Sequence, residues 1–113
     1  MNDLVTILKG IADENRLKIL KLLSQQEYCV YEIMDKMGMS QSTTSHHLKI
    51  LKTCGLVKFR KVGKWIFYSI NAVEVRKFQS EVNEVLASLD QEIEPRQDTC
   101  EHCEEMELSK LEQ

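Results

Sequence analysis

Apolar side chains recur at helical spacing in three stretches at the start of this chain. Leu4, Ile7, Leu8 and Ile11 form the first stripe. Asp13, whose carboxylate can cap the following N–H groups, opens a second helix through Leu17, Leu20 and Leu23. Ile19 and Leu22 broaden that face, which marks the helix as central. After a polar turn at Ser24 to Glu27, Val30, Ile33, Met34 and Met37 outline a short third helix ending at Gly38. A tight turn at Met39-Ser40 follows, with Ser40 suited to cap a fourth helix. That helix opens polar and hydroxyl-rich, then turns apolar at Leu48, Ile50 and Leu51.

Beyond Gly55 the period shortens from helical to alternating. Val57 and Phe59, then Ile66, Tyr68 and Ile70, read as two strands joined by a hairpin at Val62-Gly63-Lys64. Asn71, with Glu74 three residues on, signals a last long helix carrying Val75, Phe78, Val82, Val85 and Leu89. The only proline, Pro95, is expected to close it. These elements predict a mainly α chain with a two-stranded β-hairpin wing, a winged helix-turn-helix. Residues 1–94 form the expected winged helix-turn-helix domain, and 95–113 a short acidic, cysteine-containing tail.

Charge sharpens this picture. The chain carries a net −3, yet from Lys36 to Val73 its charged residues are all Lys or Arg. Residues 96–113 set two bases against six acids, so the tail hides a basic face in the overall balance. A long acid-free stretch implies a surface kept clear for a polyanion. Ser40, Gln41, Ser42, Thr43, Thr44 and Ser45 supply short polar groups for phosphates, and Gln41 and His46 suit base edges. Lys49, Arg60, Lys61 and Lys64 would carry the salt-dependent part of binding. His46 and His47 point about 100° apart on a helix, so one is expected to face DNA while the other packs.

No Gly-rich phosphate loop or catalytic triad is present, which argues against an enzyme. No apolar run approaches the roughly 20 residues of a membrane span. The N-terminus lacks a secretory pattern, so a cytoplasmic location without membrane association is expected. In that compartment Cys29, Cys54, Cys100 and Cys103 are expected to serve metal, redox chemistry or packing, not structural disulfides.

The segments Ala12-Asp13-Glu14-Asn15-Arg16-Leu17, Ser40-Gln41-Ser42-Thr43-Thr44-Ser45-His46-His47-Leu48-Lys49, Cys54-Gly55-Leu56-Val57 and the Arg60-to-Tyr68 hairpin resemble the ArsR/SmtB family of metalloregulators. The resemblance spans roughly residues 3–92. It implies a homodimer paired through the first and last helices, seated on double-stranded operator DNA until an inducer releases it.

It also implies where to look for the inducer. Arsenic- and cadmium/lead-sensing members carry two cysteines one residue apart in the third helix. Here Cys29-Val30-Tyr31-Glu32 keeps the first and replaces the second by Tyr31. A zinc- or nickel-type site on the last helix is rejected, because Asn71 to Asp90 contains no histidine. The tail pair in Cys100-Glu101-His102-Cys103 has a spacing that lets both sulfurs reach one soft ion. Cys29 with Cys100 and Cys103 is therefore the expected ligand set. Cys54 resembles a ligand position in a cadmium/lead branch, but packing of the helix end is the preferred reading. As(III) leads as inducer, with Sb(III), Cd(II) or Pb(II) as alternatives. A thiol redox or persulfide switch, or a structural Zn(II) in the tail, are the other readings of these cysteines.

Overall fold

The computed structural model describes residues 3–98 together with Cys100 and His102. Its elements are α1 (Leu4–Ile11), α2 (Glu14–Leu23), β1 (Tyr28–Cys29), α3 (Val30–Met37), α4 (Gln41–Thr53), β2 (Val57–Val62), β3 (Trp65–Ile70) and α5 (Ala72–Leu89). Short polar side chains start four of these helices by accepting a backbone N–H three residues on. Asp3 takes Thr6 at 2.7 Å, Asp13 takes Arg16 at 3.0 Å, Ser40 takes Thr43 at 3.2 Å and Asn71 takes Glu74 at 3.4 Å. Gly38 ends α3 in the left-handed region at φ 64°, where a side chain would be strained. This turn sets the direction in which α4 leaves α3.

β2 and β3 pair antiparallel from Val57 with Ile70 to Val62 with Trp65. That register leaves Gly63-Lys64 as a two-residue loop. Gly63 has φ 60° and no non-glycine residue among those described has positive φ, which is the type II′ pattern suited to the twist of a hairpin. The sheet has a third strand that the hydrophobic pattern did not predict. β1 pairs Tyr28 with Tyr68 and Cys29 with Phe67, giving the order β1-β3-β2. Two residues are too short to show alternation, so β1 exists because β3 offers it an edge.

The core gathers Ile19 and Leu23 of α2, Tyr28, Ile33 of α3, Leu48 and Leu51 of α4, and Val57 at the root of the wing. Each such side chain contributes about 1.5–3 kcal/mol on burial. A second cluster joins Ile7 of α1 to Cys54 and Leu56. α5 buries none of its residues on its own chain. Val75, Phe78 and Val82 are half-buried, while Val85, Leu86 and Leu89 face solvent. The helix ends at Leu89, where the N–H of Asp90 bonds the carbonyl of Ala87. Pro95 therefore lies beyond an end already made, not at it as expected.

Candidate nucleic-acid interface

α4 divides its polar half between two faces. Gln41, Ser42, Thr43, Ser45, His46 and Lys49 point outward, while Thr44, His47, Leu48 and Leu51 point into the protein. Thr44 is 0% exposed, and its hydroxyl donates to the carbonyl of Ser40 at 2.8 Å. His47 is 8% exposed and its Nδ1 lies 3.3 Å from a terminal nitrogen of Arg16. Arginine only donates, so Nδ1 accepts and Nε2 carries the proton. His47 is the member of the histidine pair that packs, while Thr44, expected among the groups for phosphates, turns its side chain inward to complete the packing behind the helix. The spacing 44, 47, 48, 51 is itself an inward helical stripe, hidden by the polar identity of its first two members.

Arg16 was not among the predicted site residues. Its Nε also donates to the carbonyl of Gly10. One guanidinium thus ties the end of α1 and the start of α2 to the middle of α4. Nothing local in the sequence signals a contact across that separation.

On the wing, Arg60 is engaged by Glu27 through two hydrogen bonds, one of 3.0 Å from Nε. The pairing holds the Glu27 carboxyl below its ordinary range and raises Arg60. An acid from outside the carboxylate-free stretch thus reaches back onto the wing. Lys61 is exposed, and Lys64 sets its ammonium 5.2 Å from the centre of the Trp65 ring. Lys52 lies 4.6 Å from the ring centre of Phe59.

The cysteines have distinct settings. Cys29 ends β1 and precedes α3, with its N–H donating to Glu32 at 3.0 Å. It is buried, yet it lines an open cleft together with Tyr31, Glu32, Asp35, Trp65 and Phe67. Cys54 closes α4, packed with Ile7 and Leu56 and pressed against Gly10. Burial pushes its thiol above the ordinary range, with Arg16 partly opposing. A buried, protonated sulfur fits the packing reading of Cys54. Cys100 is half-buried, and Cys103 lies outside the described residues. Among the described residues no three His, Cys, Asp or Glu side chains gather as a metal-holding group.

The sequence pattern of the bacterial regulatory protein, arsR family, matches residues 13–58. An uncharacterised helix-turn-helix-type transcriptional regulator of Methanocaldococcus jannaschii is 45% identical over 80 residues, 70% of this chain and 90% of that one. The chain belongs to the ArsR/SmtB family. The arsenical resistance operon repressor of Staphylococcus aureus is 44% identical over 69 residues, covering 61% of this chain and 66% of the repressor. A homodimeric winged helix-turn-helix DNA-binding domain of Mycobacterium bovis superposes with a TM-score of 0.61 at 31% identity. That match covers 81% of this chain and 86% of the other.

Membership makes this ArsR/SmtB chain a DNA-binding transcriptional regulator and not an enzyme. The outward row of polar side chains from Gln41 to Lys49 and the wing lysines Lys58, Lys61 and Lys64 are exposed. Among the described residues no helix is long and apolar enough to cross a membrane.

Proposed function

We propose that this ArsR/SmtB regulator is a homodimeric repressor released from its operator when a thiophilic inducer, As(III) foremost, is captured by Cys29, Cys100 and Cys103. The observation that carries this reading is the position of Cys29. It joins β1 to α3, so its backbone belongs both to the sheet of the wing and to the helix that buttresses α4. Cys29 alone offers one sulfur in its cleft, and the two tail cysteines would supply the rest of a trigonal thiolate set. Cys54 is left out, because its sulfur is spent on packing against Gly10.

The contacts with DNA are assigned to Ser40, Gln41, Ser42, Thr43, Ser45, His46 and Lys49 on α4, with Lys61 and Lys64 on the wing and Arg60 beside them. Gln41 and His46 read base edges, and the lysines neutralise phosphates. Dimerisation joins α1 to α5, whose exposed Val5, Leu8, Val85 and Leu86 otherwise lack cover. Two recognition helices then meet successive major grooves about 34 Å apart. An inducer coupling of about 1–3 kcal/mol changes operator affinity roughly 5–150-fold, enough to switch a promoter.

The test is fluorescence anisotropy of operator DNA with reduced protein, adding As(III), Cd(II), Zn(II) and diamide in turn. Release by As(III) that disappears in Cys29→Ser and in the Cys100→Ser/Cys103→Ser double variant supports the reading. Release by Cd(II) without As(III) moves the inducer to the cadmium/lead class. Release by diamide alone overturns metalloid capture in favour of a thiol redox switch.

A further inference from the structure

We propose that the cleft between the start of α3 and the wing is a binding site for an organic cation. The cleft measures about 550 Å³ and is lined by Cys29, Tyr31, Glu32, Asp35, Trp65 and Phe67. That volume lies within the roughly 300–1,000 Å³ of small-molecule sites. Its walls are aromatic. The Tyr31 and Trp65 rings meet edge to face, with centroids 6.2 Å apart and planes at 89°. Ring faces carry negative potential and attract positive charge. They already do so within this chain: the Lys64 ammonium lies 5.2 Å from the Trp65 centroid and the Arg60 guanidinium carbon 5.1 Å from that of Phe67.

The rim is acidic. Glu32 and Asp35 stand about one turn apart on α3, and neither forms an ion pair among the described residues. Arg60, the one arginine of the wing, is committed to Glu27. One Glu32 oxygen receives the Cys29 N–H, which fixes the carboxylate beside the aromatic wall. Two carboxylates exclude anionic ligands, and a neutral ligand would cover them without returning any charge. A cation with an apolar or aryl body satisfies both the walls and the rim.

The proposal goes beyond thiol capture. A cation seated between Tyr31 and Trp65 bridges α3 and the wing without forming a bond to Cys29. The regulator would then read a second chemical class at the same junction.

Trp65 is the only tryptophan in the chain, so its fluorescence reports this cleft alone. The experiment titrates the full-length protein with benzyltrimethylammonium and, as the uncharged comparison, with benzyl alcohol. A saturable change with the cation, about tenfold weaker for the alcohol, is expected from a cation–π and carboxylate site. Glu32→Gln/Asp35→Asn should weaken the cation about tenfold, since glutamine still accepts the Cys29 N–H. If that double variant fails to fold, Asp35→Asn alone carries the comparison, because the Asp35 side chain forms no hydrogen bond among the described residues. The response should persist in Cys29→Ser, which separates it from metalloid capture. Equal responses to cation and alcohol, no saturable response, an unchanged double variant, or loss in Cys29→Ser would each overturn the proposal.

Discussion

Gly10→Ala tests the packing of Cys54 through a cycle of two substitutions. Gly10 sits in the last turn of α1, where alanine on its own gains about 0.5–1 kcal/mol in a helix. Here the new Cβ would overlap Cys54 Sγ, with Cys54 Cβ at 3.5 Å and Ile50 Cγ2 at 3.8 Å behind it. The sulfur has little room to retreat, because Ile7 and Leu56 enclose it. Overpacking of this kind costs about 1–3 kcal/mol. The net expectation is destabilisation by about 1–2 kcal/mol. Cys54→Ala alone leaves a small hole and costs about 1 kcal/mol. In the double variant the methyl added at position 10 enters that hole, so the two changes should couple favourably by about 1.5–3 kcal/mol. Urea unfolding followed by far-UV circular dichroism, at one protomer concentration, measures all four proteins. A Gly10→Ala midpoint at or above the parent would refute the reasoning, as would a double variant equal to the sum of the singles. Cys54→Ala should also keep its inducer response, since its sulfur is assigned to packing.

Lys49→Ala and Lys61→Ala should each weaken DNA binding about equally on operator and random sequence, and lower the slope of log affinity against log salt by about 1. Gln41→Ala should instead narrow the gap between operator and random DNA; anisotropy over a salt series distinguishes the two behaviours. The Arg16 N–H bond holds the Asp13 carboxyl below its ordinary 3.8. Its stabilisation is complete above that pH and is lost as pH falls through the folded value, so Asp13→Asn should make the acid limb of thermal unfolding shallower while preserving the cap. Unchanged acid sensitivity would remove Asp13 from the account. Val85→Glu should yield a folded monomer by sedimentation equilibrium, with operator affinity reduced at least about 100-fold through loss of the second half-site. A dimer that survives it would place the interface elsewhere.

Most helix boundaries, though not the end of α5, are legible because they are written in single residues. Asp13, Ser40, Asn71 and Gly38 each act within one turn, so the sequence shows the cause directly. The exposed half of α4 was legible for a similar reason, since its outward positions from Gln41 to Lys49 are polar. What stayed hidden depended on partners far along the chain. β1 needs the edge of β3, and Arg16 needs a histidine on another helix. Thr44 stayed hidden because its polar identity masks the inward spacing it shares with His47, Leu48 and Leu51, and the spacing alone did not say which histidine packs. Glu27 escaped notice as a wing residue because it reaches Arg60 only once the sheet has formed.

The pairing of Cys29 with Phe67 gives the hairpin a fulcrum. The wing tip lies about 10 Å beyond Phe67 at roughly 3.3 Å per residue. A tilt of about 10° at that base would carry Lys64 by about 2 Å, comparable to the difference between a direct phosphate contact and one bridged by water. On the proposed reading, the short strand β1 is the pivot of a lever whose load is the DNA backbone. Small motions at the start of α3 would emerge magnified at the tip, whereas the buried Thr44 and His47 tie α4 to the core.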